Sequence, residues 1–549
     1  NKLQNWWNPS SADGENPYWV LNRDINTNGR QRVLLMSSLA YNFTRDLKLQ
    51  LRTSLDASQT SLEQKWYNGT FNVAPYGMYW IGKGEDKFLQ NDFLLSYNRD
   101  INKDWSIKIS GGGSASKSRY SQLLSNTGLA MLIPNLFALS NTNQPVTTYN
   151  PGARVDVNSL YAFTTIGWKN AVFLDVTGRN DWSSTLPENN RSYFYPSVGL
   201  SALLSDLIPS YPSFISYTKL RGSYAVVGND APAYMLFRTA NLFAGGNNGY
   251  LQLSNVLPNT NLLPEKTIST EFGLDIRFFN NRLGFDITAY KTNTQNQLFT
   301  VALPVGSGAS SSFTNGGDVQ NKGVELILSA SPVRGQDFHW DLSFNYARNR
   351  NMVKRISDQR PRVVVPANDS YFKDFVIAQG EPYGQLYGRG WLRNEAGNVV
   401  VGSDGLPLLT EGRTVLLANF NPDWMGGLQN TFSYKNFTLS FVIDHRQGGK
   451  LVSPSNAVLD GLGITERTLQ GRDGGLIFGK NFFNEYTAVT EDNKPNDIPI
   501  TAERFWTYVG GVNTPIGEAF VVDATSTRLR ELTLGYALPL SIVSKLHIS

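Results

Sequence analysis

The chain has 549 residues, a length that at about 150 residues per domain allows three or four domains, or one large β barrel. Aromatic residues reach 12% and charged residues only 17%, the opposite of a disordered chain. The net charge of +4 comes from 49 basic and 45 acidic residues with no long run of either, so nothing resembles the footprint of a nucleic-acid binder, and with no cysteine there is no disulfide or thiolate metal site.

No apolar run approaches the roughly 18 to 20 residues of a membrane helix, and residues 1–10 lack a charged-then-apolar signal pattern. A soluble β protein and a membrane β barrel remain. Mean hydropathy of −0.29 does not choose between them, because alternating strands average out as mildly polar.

Along the chain, period-two alternation predicts strands near 30–43, 47–58, 87–98, 105–117, 155–168, 171–181, 193–204, 217–228, 266–279, 283–298, 319–331, 338–352, 423–435, 437–447 and 527–538. In 338–346, Phe338, Trp340, Leu342, Phe344 and Tyr346 oppose His339, Asp341, Ser343 and Asn345. In 437–444, Phe437, Leu439, Phe441 and Ile443 oppose Thr438, Ser440 and Asp444, with Val442 the apolar exception. Short connections fall near Thr44, Arg99, Lys169, Asp206, Asn280, Pro332 and Asn436. They alternate with long ones at 59–86, 118–154, 182–192, 229–265, 299–318, 353–422 and 448–526, the pattern of periplasmic turns and extracellular loops in an outer-membrane barrel. Within 454–470 a short helix fits.

Tyr41, Phe43, Tyr97, Trp105, Trp168, Phe278, Phe338, Trp340, Tyr434 and Phe437 all fall beside short turns. Amphipathic rings prefer the headgroup level, so Tyr41, Tyr97, Trp105, Trp168, Trp340 and Tyr434 are expected to form a periplasmic girdle. If the short turns are periplasmic, the first strand runs inward from the outside. An odd number of strands is then expected before it, and residues 545–549 read as the opening of a further strand. Fifteen strands alone would leave two unpaired edges in lipid, so the expected fold is all-β: part of a larger antiparallel transmembrane barrel.

Several stretches resemble the SusC/RagA family of TonB-linked outer-membrane importers of Bacteroidetes. Thr218–Asn229 reads TKLRGSYAVVGN and Arg179–Gly199 reads RNDWSSTLPENNRSYFYPSVG. Further matches run from Leu263 through EFGLDIRFFNNRLGFDITAY, TNGGDVQNKGVELILSASPV and FHWDLSFNYARNRNMV to Val353. Asn421–Gly449, ending in DHRQGG, and Thr527–Pro539, TRLRELTLGYALP, add two more. The resemblance implies a complete protein with about 22 strands, of which this chain carries the mid-to-late part of one barrel domain. It also implies an N-terminal plug that this chain lacks, a TonB-binding segment, and a SusD-like surface lipoprotein over the top. The partners it implies are that lipoprotein, TonB-ExbB-ExbD acting through the plug, and outer-membrane lipid. The location it implies is the outer membrane of a Gram-negative bacterium.

Nothing points to an enzyme, a metal or a cofactor. The histidines are His339, His445 and His547, and Asp444 with His445 is the one acid–base neighbour pair, on opposite faces of a strand. Gly111–Gly113, Gly306–Gly317 and Gly471–Gly475 lack the Lys-Ser/Thr ending of a phosphate loop and read as turns or bulges. Asn-x-Ser/Thr at Asn42, Asn68, Asn368 and Asn436 is expected by chance in an Asn-rich chain.

Candidate ligand or lid contacts are aromatics of the long loops: Trp66, Tyr67, Tyr76, Tyr79 and Trp80; Tyr234, Phe237 and Tyr250; Trp391; and Phe482, Phe483, Tyr486, Phe505, Trp506 and Tyr508. Such rings stack on sugars, grip peptides or anchor a partner, and they equally pack loops on one another. The expected function is import of glycan or peptide oligomers. A passive porin, a scaffold barrel and a soluble β-rich binding protein are the alternatives.

Overall fold

A computed structural model describes residues 15–71, 73–144, 146–243, 249–356, 361–365, 373–473, 475–511, 515–539 and 543. The expectations for residues 545–549, Asn368 and His547 fall outside them. Fifteen described strands have eleven or more residues: β1 (Asp24–Asn42), β2 (Leu47–Trp66), β3 (Met78–Asp100), β4 (Trp105–Asn126), β5 (Gly152–Trp168), β6 (Val172–Ser183), β7 (Ser192–Leu203), β8 (Ile215–Asn229), β9 (Glu265–Phe278), β10 (Leu283–Ala302), β11 (Ser311–Arg334), β12 (Phe338–Arg355), β13 (Trp424–Tyr434), β14 (Phe437–Gln447) and β15 (Ser526–Tyr536). Each corresponds to one strand read from alternation. Several extend well beyond the reading on their long-loop side, β2 to Trp66 and β3 back to Met78. Segments 59–66 and 78–86 mix polar and apolar residues on both faces, so they pair without alternating.

The chain divides into two compact units, residues 1–199, 225–266 and 298–315, and residues 200–224, 267–297 and 316–549. In the first, β1 to β6 form one antiparallel ladder of successive neighbours. The register sorts its faces. Leu39, Leu51, Phe93, Gly113 and Leu160 stand in one cross-strand row, while one residue away Ser38, Arg52, Asp92, Ser114, Ser159 and Asp181 stand in the next, on the opposite face. Arg52 pairs with Asp92 at 2.8 Å, and Arg32 with Asp56 at 2.6 Å, on that polar face.

Gly111–Gly113 correct the reading as turn or bulge: they lie inside β4, in unbroken register with β3. Neighbours occupy the space their side chains leave. A Cβ on Gly113 would lie 2.9 Å from the Phe93 ring and 3.0 Å from Leu160, so Phe93 and Leu160 close the gap in the apolar row. Lys169 and Asn170, both at φ of 52°, make the tight turn between β5 and β6.

In the second unit, β11 to β15 form a second ladder of antiparallel neighbours. Leu328, Phe344, Leu428, Ile443 and Leu529 make an apolar row across all five strands. Trp340 donates its indole N–H to Asn430 at 3.1 Å, which satisfies a buried amide on this apolar side. Pro332 is not the turn itself but sits at a register break between Ala330 and Val333, where its missing N–H costs no ladder bond, and the chain turns at residues 335–337.

The two longest loops of this unit share one hydrophobic core. Strands Lys373–Ala378, Gln385–Gly388 and Val415–Asn419 pair in one small sheet. Val399–Val401 pairs in parallel with Ala488–Thr490, which ties the first loop to the second. Helix α1 (Pro454–Gly461), capped by Ser453, fulfils the expected short helix, and α2 (Ala502–Val509), capped by Thr501, packs against it. The close approach needs glycine: a Cβ on Gly461 would lie 2.4 Å from the backbone nitrogen of Gly511, whose N–H donates to the Ala457 carbonyl at 2.8 Å.

Because Trp391, Phe478, Phe482, Phe505 and Trp506 interlock across both loops, truncation of one ring should loosen both. Phe505→Ala is expected to cost the loop unit about 3–5 kcal/mol. Hydrogen exchange should rise together in 385–419 and 476–509, with β12 to β15 unchanged; a rise confined to 476–509 would refute a shared core.

Candidate functional site

The loop aromatics separate into two classes once placed. Trp391 is 1% exposed, Phe505 0%, Trp506 2% and Phe482 6%, and Phe483, Tyr486 and Tyr508 pack half-buried against them. This corrects the assignment of Trp391, Phe482, Phe505 and Trp506 as ligand or lid contacts, since rings so buried offer no face to a ligand. Trp391 meets Phe478 edge-on at 5.3 Å, and Phe478, passed over in the sequence, is the hub that also stacks on Phe483, Tyr486 and Phe505. Polar clasps surround them. Arg393 pairs with Glu518 at 2.5 Å, and Glu518 also accepts the Trp391 backbone N–H at 2.8 Å. Fully buried Asp460 is held by Thr465 and Arg467, whose guanidinium lies 4.8 Å over Trp506. Burial pushes the Tyr486 and Tyr508 phenols up.

In the first unit, Tyr67 meets Phe137 edge-on at 4.9 Å beneath the Arg23 guanidinium, and Tyr79 donates to Glu63 at 2.9 Å. Trp66 and Trp80 face each other edge-on at 6.3 Å across β2 and β3. These four are half-buried in loop packing, whereas Tyr76 is 66% exposed and Phe237 69%. Tyr234 borders an open cavity of about 340 Å³ with Glu85, Lys87, Arg119 and Arg154. Tyr250 stacks on Phe243 at 5.7 Å within the exposed hairpin Ala240–Phe243 and Tyr250–Leu253. Free aromatic surface therefore concentrates on Tyr76, Tyr234, Phe237 and Tyr250.

The RNDWSS stretch meets Asp230, the residue that follows VGN, a contact with no mark in the sequence. Arg179 donates to Asp181 at 2.8 Å and to Ser159 at 2.9 Å, Tyr195 also donates to Asp181, and Ser183 donates to Asp230 at 2.5 Å. Asn190 reaches the Leu262 carbonyl at 3.1 Å, over a small core of Leu186, Ala231 and Leu262. The loops after β6 and β8 are thereby pinned to each other. A serine and an aspartate in separate stretches carry no pairing signal in one sequence.

Asp444 and His445 part as their adjacency requires: Asp444 takes Arg530 at 2.7 Å, whereas His445 meets Thr527 at 2.8 Å and the Trp424 ring at 4.8 Å. At the short-turn end Trp105 and Trp168 lie 6.4 Å apart, Phe437 and Tyr536 4.6 Å, and Lys169 and Lys435 sit over Trp168 and Tyr434. Tyr41, Trp105 and Tyr434 are exposed there, and Tyr97, Trp168 and Trp340 half-exposed.

Long antiparallel strands with one apolar and one polar face, tight turns at one end and large packed loops at the other define an outer-membrane β-barrel protein. Residues 1–449 match the family model of the TonB dependent receptor-like β-barrel, and the chain belongs to that family. It is therefore a protein of the bacterial outer membrane. TonB-dependent receptor P3 of Formosa agariphila is 23% identical over 571 residues, covering 98% of this chain and 54% of that protein. TonB-dependent receptor SusC of Bacteroides thetaiotaomicron is 28% identical over 294 residues, covering 50% of this chain and 29% of that protein. The RagAB peptide importer in its closed-closed state superposes with a TM-score of 0.77 at 19% identity, over 99% of this chain and 59% of that one. The last likeness shows the fold. The chain spans about half the length of P3.

The clasp between Ser183 and Asp230 has a measurable worth. Ser183→Ala removes the hydroxyl that Asp230 accepts and is expected to cost about 1–3 kcal/mol locally. Faster hydrogen exchange at 184–192 and 230–237 would register it, and unchanged exchange at both would show that the pair holds nothing.

Proposed function

We propose that this chain is the mid-to-late wall of one barrel domain in an outer-membrane importer of glycan or peptide oligomers. A SusD-like surface lipoprotein covers its long loops, and TonB-ExbB-ExbD drives it through an N-terminal plug. The observation that carries this reading is the match to receptor P3 across 98% of the chain, on a structure with an apolar outer row and a polar inner row in every ladder. RagAB, which shares the fold, is a peptide importer, which supports oligomeric cargo. Tyr41, Tyr97, Trp105, Trp168, Trp340 and Tyr434 would sit as a girdle at the periplasmic headgroups in contact with outer-membrane lipid, and the loop unit would face outward.

The full-length protein purified from its native outer membrane is the test. Expected are an intact mass above 61.0 kDa, a co-purifying surface lipoprotein, near-silence in a planar bilayer, and loss of growth on one oligomeric nutrient when the gene is deleted. A steady open conductance would favour a porin. A stable partner without any growth defect would favour a scaffold.

A further inference from the structure

The polar face of β12 to β15 holds a cavity of about 490 Å³ near the long-loop end. One cross-strand row of its wall sets Asn345, Gly427, Asp444 and Arg528 side by side, and the Asn345 amide lies over Gly427, which has no side chain of its own. A Cβ there would lie 2.9 Å from the Asn345 amide nitrogen. A register break between Val442 and Ile443 leaves Arg530 as the extra residue of β15, turned toward Asp444. Where a ring covers Gly113, a polar amide covers Gly427.

The lining is basic. Arg446, Arg528 and Arg530 face one carboxylate, Asp444, which Arg530 engages through both Nε and Nη2 at 2.8 and 2.7 Å. Arg446 donates Nη2 to the Phe420 carbonyl and so is fixed by the base of the loop unit. The nearest further acid along β15, Glu531, accepts from Thr533 at 2.8 Å. Arg528 is exposed and its guanidinium makes no ion pair among the described residues, while Ser343, Asn345 and Gln429 add neutral polar groups around it. Two guanidinium charges beyond the one balanced by Asp444, beside amides and a hydroxyl, suit a planar or tetrahedral oxyanion.

We propose that this notch binds a carboxylate carried by the imported oligomer, with Arg528 as the principal contact and Arg446 as the fixed second one. The proposal rests on the importer reading for the source of its ligand but not for the binding itself. The test uses the full-length protein in detergent and isothermal calorimetry with two matched pairs of probes. One pair is a hexapeptide with a free C-terminal carboxylate and the same peptide amidated. The other is oligogalacturonate and a neutral malto-oligosaccharide of equal length.

One charged probe is expected to bind at least about tenfold more tightly than its neutral partner, and which pair shows it identifies the source of the anion. Arg528→Gln should remove that preference while leaving neutral binding and heat-modifiable gel mobility unchanged, and Arg528→Lys should restore part of it. The double variant Asp444→Asn with Arg530→Gln removes a balanced pair and should preserve the preference. Equal affinity within both pairs, no binding of either charged probe, or a preference that survives Arg528→Gln overturns the notch. Cellular uptake of the same probes is read separately. Uptake without preference overturns the notch alone, and preference without uptake overturns the importer reading and leaves the notch standing.

Discussion

Backbone hydrogen bonding in a solvent that offers no partners is the constraint on which the rest of this structure depends. In hydrocarbon every strand N–H and C=O must be met by the neighbouring strand, so chain order, turn length and register are fixed together. The ladder β1 to β6 shows the result, each strand paired with the ones before and after it. Register then decides chemistry. A slip of one residue would carry the row of Leu39, Leu51, Phe93 and Leu160 to the polar side and put Arg52, Asp92 and Asp181 in lipid, exchanging paired charges for unpaired ones. Apolar outer rows, ion pairs and turn geometry are thus a single solution, and none is free to change alone.

That dependence explains what could be read from the residues. A segment crossing hydrocarbon must alternate, and 338–346 and 437–444 do so almost without exception, which is why all fifteen long strands are visible in one sequence. Where β2 and β3 leave the membrane, both faces meet water or loop, and the pairing of Leu62 with Gly82 or Gln64 with Trp80 leaves no periodic trace. Strand ends on the long-loop side were illegible for that reason. Pro332 misled in a different way: proline marks a place where a ladder bond is missing, and a bulge satisfies that as well as a turn does.

The loops obey another rule. Away from lipid the chain buries rings against rings, and Trp391 joins Phe478, 87 positions further along the chain, through contacts that no local pattern announces. Composition could flag these aromatics as consequential, but their packing partners lie in a different loop, so inside and outside could not be told apart. The same holds for Ser183 and Asp230, whose hydrogen bond spans two stretches that each look like a strand end. What the residues did carry was a family pattern, and the match over residues 1–449 agrees with it.

Glycine ties these strands of argument to the face on which it falls. Gly113 and Gly427 both interrupt a cross-strand row, and each is covered by a neighbour from its own face. On the apolar side a gap between Phe93 and Leu160 would cost dispersion contacts with nothing gained, and the Phe93 ring covers it. On the polar side the Asn345 amide lies over Gly427, and the bulge at Arg530 adds charge beside it. The same missing side chain thus admits an apolar ring on the lipid side and a polar amide on the lumen side. In a wall whose register is fixed by its backbone, small residues on the inner rows are where such a barrel has room to acquire a binding surface.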